Sequence, residues 1–312
     1  MRPLVLLIVS HVMGCSLQPA PAQPECQAVG TNVRTFDVDA LLLPVARASY
    51  AIDLNGDQVV DNQIGDVVSA LTGSGIPLQA VVNDAFKAGK VHLRLQVTST
   101  DAAQVNAVQA GASLSDLSLA GSGGSFCARL SEGAFDAPNP AQVTTPETIS
   151  ITLPFFDDVV VDLAGAHVEF TINGDRATGR LHGGISAAQI TDRVMPAIAD
   201  FMTRKVQGDP LSALSKELAS IFDSGGEPDD SCAPRLGCRN PPPPVGNGAC
   251  ALPNDGIVDA CEISTDAIAK NILAPDVQLF SEDGSVYQPS AGNAHKDSLS
   301  VGIAFTAQAV PQ

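Results

Sequence analysis

Tryptophan is absent from this chain, and tyrosine is nearly so, with only Tyr50 and Tyr287. Modules that stack sugar rings depend on those two side chains, so carbohydrate recognition by stacking is disfavoured. Basic residues are scarce: 17 Lys and Arg stand against 34 Asp and Glu, for a net charge of −17. Such a surface repels phosphate backbones and argues against a nucleic-acid partner, while it suits divalent cations. No apolar run is long enough to cross a bilayer as a mature helix. The GxSxG, HExxH, Walker A and GxGxxG arrangements are all missing, which removes the readings those motifs carry and points away from an enzyme. Histidine is rare as well: past the N-terminal segment only His92, His167, His182 and His295 remain.

What is present begins at the N-terminus. Residues 1–14, MRPLVLLIVSHVMG, have a positive start at Arg2 and a short apolar centre at Leu4 to Val9, as a secretory signal does. Val12-Met13-Gly14-Cys15 resembles the lipobox of bacterial lipoproteins. The resemblance implies cleavage ahead of Cys15 and acylation of that cysteine, with several chains giving a stable membrane anchor. Ser16 stands where inner-membrane retention signals place Asp, which implies the outer membrane. Residues 15–30 read as a flexible Pro/Ala/Gln tether.

The cysteines fit an exported chain. Of the 7 Cys, lipid would take Cys15, leaving Cys26, Cys127, Cys232, Cys238, Cys250 and Cys261. An even set in an oxidising compartment reads as a disulfide framework. Six cysteines allow about 15 pairings, and sequence does not choose among them. Short loops suggest Cys232–Cys238 and Cys250–Cys261, leaving Cys26–Cys127 as the long closure.

With 45% hydrophobic residues in 312, there is apolar material for one large core or two small ones. Strands are expected at 36–45, 91–98, 148–153, 158–164, 276–280 and 299–307. The hairpin 167–182 should turn at Asn173-Gly174, pairing Ile172 with Asp175 and Phe170 with Ala177. Its apolar face would carry Val168, Phe170, Ile172, Ala177 and Leu181. Its other face, with His167, Glu169, Thr171, Arg176, Thr178, Arg180 and His182, should meet water. Helices are expected at 63–72, 77–88, 187–205, 210–223 and 264–273. Ser186 and Gln189 give the third a capping-box start, and Pro196 should kink or restart it. Asp209 and Pro210 should open the fourth, which would bury Leu211, Leu214, Leu218 and Ile221. The fold class that follows is α+β: an antiparallel β-sandwich or twisted sheet with packed helices, tied by disulfides. A main unit at 31–223 would be followed by a Cys/Pro-rich segment at 224–312, whose short helix and last strands pack onto it.

One stretch carries chemistry. Asp53-Leu-Asn55-Gly-Asp57-Gln-Val59-Val-Asp61 sets oxygen side chains at loop positions 1, 3, 5 and 9, and the carbonyl of Val59 falls at position 7. Calcium takes six to eight hard oxygens on a tightly turned loop. The spacing resembles EF-hand loops and, more closely, the short calcium loops of FG-GAP and thrombospondin type 3 repeats. It departs from them at Gln58, where Gly is usual, and at Ile64, where a bidentate Glu is usual. A second, partial loop, Asp255-Gly-Ile-Val-Asp259-Ala-Cys261-Glu262, offers Asp255, Asp259 and Glu262 but lacks the first two ligands. The wording DGIVDACE resembles the thrombospondin type 3 repeat, and a disulfide-closed turn is the plainer reading. His167, Glu169 and His182 share the hairpin's polar face and could take a metal, although Arg176 and Arg180 there oppose it. Asp157-Asp158 is an acidic pair that reads as a solvated strand boundary.

The mature chain is also similar to exported lipoproteins of myxobacterial type. The similarity rests on AIDLNGDQVVDNQIG at 51–65, the RLHGGIS-plus-helix run at 180–202 and KNILAPDVQLF…DSLSVGIAFTA at 270–307. It implies export, lipidation and calcium-type loops, and carries no activity. The expectation is therefore a non-catalytic, calcium-stabilised envelope lipoprotein in adhesion or matrix contact. A carrier or chaperone for an apolar ligand and an unrecognised hydrolase are the alternatives.

Overall fold

Alternating apolar residues in segments 91–98 and 299–307 call for strands with one buried face; both strands form, but the second is buried on both faces from Ser298 to Phe305. The structure is a computed structural model that describes residues 32–99, 108–137, 147–154, 159–223, 256–281, 284 and 295–311. In chain order it has β1 (Asn32–Leu42), α1 (Ile64–Gly73), α2 (Leu78–Lys87), β2 (Leu93–Ser99), β3 (Val108–Asp116), β4 (Gly124–Ser131) and β5 (Ala134–Asp136). Then follow β6 (Ile149–Leu153), β7 (Val159–Asn173), β8 (Arg176–Ser186), α3 (Ala187–Gln189), a π segment (Ile190–Val194), α4 (Met195–Gly208) and α5 (Ala213–Phe222). Two short helices, α6 (Ala260–Thr265) and α7 (Ala267–Ile272), precede β9 (Ser298–Ala309).

The strands make one nine-stranded sheet in the order β5-β4-β3-β2-β1-β9-β8-β7-β6. Every pairing between strands is antiparallel. β5 turns back to pair with β7, so the sheet curls into a nearly closed, barrel-like form. It is thus one curled sheet and not a sandwich; the α+β class stands. At the seam Phe135 lies directly opposite Phe170, and their rings stack with centroids 4.6 Å apart, an aromatic contact that adds to the burial of both rings. The core is one large cluster in which Phe36, Phe135, Phe305, Leu95 and Leu114 are fully buried. β9, from the last stretch of the chain, lies between β1 and β8. The 224–312 segment therefore supplies a central strand.

The hairpin's register differs from the expectation. Ile172 pairs with Ala177 and Phe170 with Gly179, so the turn is Gly174-Asp175, with Gly174 at φ +60°. Gly as the first turn residue suits the hairpin twist better than Asn173 would. The slip is two residues, and since side chains alternate with period two, the assignment of residues to faces survives it. Farther along β7 a bulge falls between Ala164 and His167, with Gly165 at φ +58°. The extra residue flips the alternation, so Leu163 and Val168 both face the core and His167 turns to the other side.

Helix ends correct the expectations in three places. α5 starts at Ala213, because Ser212 and not Asp209 caps it, accepting from the Ser215 N–H. Leu211 consequently sits in the turn and is 81% exposed instead of buried. The helix expected at 264–273 begins earlier and is split at Asp266, whose side chain caps α7. The segment 276–280 forms no continuous strand, only bridge positions at Val277, which pairs with Ser298, and at Phe280. Other expectations fit: Ser186 caps α3, and Pro196 falls in the first turn of α4 after the π segment, where no intrahelical N–H is needed.

The two described cysteines part company. Cys127 on β4 is disulfide-bonded, and its partner lies outside the described residues. Cys261 carries a buried thiol, packed in the core with Val258, Ala260 and Ile263. Its place in a structural disulfide is therefore corrected: it acts as a small apolar side chain. Cys15, Cys26, Cys232, Cys238, Cys250, Asp157, Asp158 and Asp255 lie outside the described residues. No helix among the described residues is long and apolar enough to cross a membrane.

Candidate metal centre

The 53–61 loop is closed by a bridge between Ile52 and Asp61, with the Asp61 N–H donating to the Ile52 carbonyl at 2.7 Å. Inside it, short polar side chains capture backbone N–H groups, as Asp and Asn do in turns. The Asp53 carboxylate accepts from Gly56 N at 2.7 Å and from Gln58 N at 2.9 Å. Asn55 Oδ1 accepts from Asp57 N at 3.1 Å, Asp57 Oδ1 from Val59 N at 2.9 Å, and Asp61 Oδ2 from Leu54 N at 3.1 Å. Turning so tightly forces Gly56 to φ +82° and Gln58 to φ +70°. Gly accepts that conformation freely, whereas Gln58 is strained there, by about 1–2 kcal/mol.

This arrangement gathers three of the expected ligands. Carboxylate oxygens of Asp53, Asp57 and Asp61 lie within 4.8 Å of one another. Asn55 is buried and binds the loop itself, its amide nitrogen 3.3 Å from Asp57 Oδ2. Val59, expected to contribute its carbonyl, lies on the exposed side of the loop. Asp61 is the deepest of the three carboxylates, only 4% exposed. Burial pushes its carboxyl up to about 7; the bond from Leu54 opposes the shift, and the charges of Asp276, Asp57 and Asp53 add to it. A divalent ion placed among these oxygens would remove the repulsion and restore the ionised form.

The loop is also rigidly seated. Leu54 packs into a small satellite core with Val277 and Leu279. Next to the loop, Asn62 clamps β9: its amide oxygen accepts from Gly302 N at 2.8 Å and its amide nitrogen donates to the Gly302 carbonyl at 3.0 Å. A Cβ on residue 302 would stand 2.5 Å from the Tyr50 carbonyl oxygen, so only Gly allows this approach. Gln63 N donates to Ser300 Oγ at 2.7 Å, and Asp276 accepts from both the N–H and the hydroxyl of Ser300 at 2.7 Å. Arg47 holds Asp276 in turn at 3.0 Å. Asp276 is a supporting residue that sequence reading missed, because nothing local links it to a loop more than two hundred positions away.

The other candidates are placed differently. Asp259 and Glu262 form a reciprocal capping box at α6: Asp259 accepts from Glu262 N, and Glu262 accepts from Asp259 N, both at 3.0 Å. Those bonds use two of the residues of the expected second calcium loop; Asp255, the third, lies outside the described residues. On the hairpin, His167 and His182 do not meet water. They are 5% and 1% exposed, so that face of β7 and β8 is solvated only in part.

Comparison with protein-family models, with curated proteins and with solved structures finds no match for this chain. The functional reading therefore rests on the geometry of the loop.

Proposed function

We propose that this chain is a non-catalytic, calcium-stabilised lipoprotein of the cell envelope, tethered through Cys15 at the outer membrane and serving adhesion or matrix contact. The observation that carries the reading is the convergence of Asp53, Asp57 and Asp61 on one point of a loop anchored to β9. Burial and the neighbouring charges hold the Asp61 carboxyl at about 7, a cost that a cation among the three side chains would relieve. Calcium suits the donors, which are hard oxygens on a turned backbone. Its affinity should fall in the weak range of extracellular modules, about 10⁻⁴–10⁻³ M. A role in holding structure fits an ion site built into the scaffold. The apolar-carrier reading has no comparable support: among the described residues the buried apolar side chains pack into one large cluster.

The test is thermal melting of the purified protein in calcium and in chelator. At a hundredfold excess over the dissociation constant, binding adds about 2.7 kcal/mol of stability. Asp57→Ala should lose most of that response. A variant that melts like wild type in both conditions removes the loop from consideration. Anchoring is checked separately: Cys15→Ser should abolish palmitate labelling and release the protein from membranes.

A further inference from the structure

The seam that closes the barrel carries a second set of ligand-type side chains. His167 on β7 and His182 on β8 are direct cross-strand partners, with ring centroids 5.9 Å apart. Glu169 follows two residues along β7, and Asp136 on β5 lies opposite it. Ligand atoms of Asp136, His167 and Glu169 all fall within 4.8 Å of one another. His167 Nε2 stands 3.6 Å from Asp136 Oδ1, and His182 Nε2 stands 4.0 Å from Glu169 Oε1. The bulge at Gly165 is what turns His167 towards this group; unbroken alternation from Leu163 would have sent it into the core.

His182 marks the place as more than a polar strand face. Both of its ring nitrogens are buried and lack a hydrogen-bond partner. A buried polar atom left in that state costs about 1–3 kcal/mol. A neutral imidazole keeps one lone pair for a Lewis acid. An apolar side chain at 182 would avoid that cost.

We propose that His167, His182, Glu169 and Asp136 form a closed zinc-class metal site that staples β5, β7 and β8. Two imidazoles and two carboxylates are typical zinc donors, and the two carboxylates balance the ion's charge. Tetrahedral bonds of 2.0–2.1 Å put ligand atoms about 3.4 Å apart; Asp136, His167 and Glu169 already gather within 4.8 Å, and His182, with Nε2 4.0 Å from Glu169 Oε1, must move in to complete the set. Arg180, 3.2 Å from Glu169 Oε1 and 49% exposed, competes for that carboxylate. A solvated pair of this kind contributes only about 0–1 kcal/mol, and Arg180 can turn into water as the metal takes the carboxylate. With all four positions supplied by protein, the site would be structural and would pin the short β5 strand whose pairing closes the barrel. It is independent of the calcium loop, whose donors are all oxygen.

Cobalt(II) titration of the purified, tag-free protein tests this, because four-coordinate cobalt shows intense visible d–d bands. The expected result is saturation at one equivalent, displacement by zinc(II), and no displacement by excess calcium. His182→Gln should abolish the bands and Asp57→Ala should leave them intact. Glu169→Gln, a near-isosteric change at a partly exposed position, should weaken cobalt binding at least about tenfold. Wild-type protein without four-coordinate bands, or bands that survive both His182→Gln and Glu169→Gln unchanged, would overturn the proposal.

Discussion

Replacing Asp61 by Asn separates the cost of burying a charge from the gain of binding an ion. The Asp61 carboxyl rises from 3.8 to about 7 in the fold. Each pKa unit is worth about 1.4 kcal/mol, so the ionised group destabilises the ion-free protein by about 4 kcal/mol. The sign follows from proton counting. Between about pH 4 and pH 7 the folded protein keeps a proton that the unfolded chain has lost, so stability falls as pH rises through that window. Below it the penalty vanishes; above it the penalty is complete. Asn carries no charge and can still accept from Leu54 N, as Asp61 does at 3.1 Å. In chelator, Asp61→Asn should therefore exceed wild type by up to about 4 kcal/mol at pH 8, and the gap should close towards pH 4. In calcium the gap should narrow by about 2.7 kcal/mol at a hundredfold excess over the dissociation constant, since only wild type has the full ligand set. Urea unfolding followed by circular dichroism, at pH 4.5 and pH 8 with and without calcium, measures each difference. If Asp61→Asn destabilises the chelated protein equally at both pH values, the electrostatic account of the loop is wrong.

Gln58→Gly should relieve the left-handed strain at φ +70°; differential scanning calorimetry should show a net gain of about 0.5–1 kcal/mol with the calcium response retained. Phe135→Ala empties one side of the aromatic seam and should cost about 3–5 kcal/mol in urea unfolding, with β5 amides exchanging fastest. Asp259→Ala removes the cap of α6 and should cost about 0.5–2 kcal/mol while leaving the calcium response of the 53–61 loop unchanged in paired melts.

The parts legible in the sequence are those fixed by short-range patterns. Alternation at 91–98 marked β2, with Val91, Leu93, Leu95 and Val97 buried as expected. The oxygen spacing of 53–61 marked a loop whose carboxylates do converge. β3 went unmarked because Ala110, Gly111, Ala112 and Ser113 have no strand preference of their own; pairing on both edges, with β2 and β4, makes them a strand. β5 is too short to leave a pattern, and its pairing with β7 is a property of the closed sheet. Sandwich and barrel share the same alternation, so the closure was not readable. The hairpin slipped because Asn173-Gly174 and Gly174-Asp175 are both good turns, and pairing of Phe170 with Gly179 decided between them. The burial of His167 and His182 depends on a bulge and on neighbouring segments, none of which shows as periodicity along β7 or β8.

A crystal structure grown with calcium at about ten times the upper dissociation constant, near 10⁻² M, tests the central claim most directly. The expected result is an anomalous-scattering peak about 2.3–2.6 Å from oxygens of Asp53, Asp57 and Asp61. Density for nothing but water among those three side chains, at full loop occupancy, would contradict it.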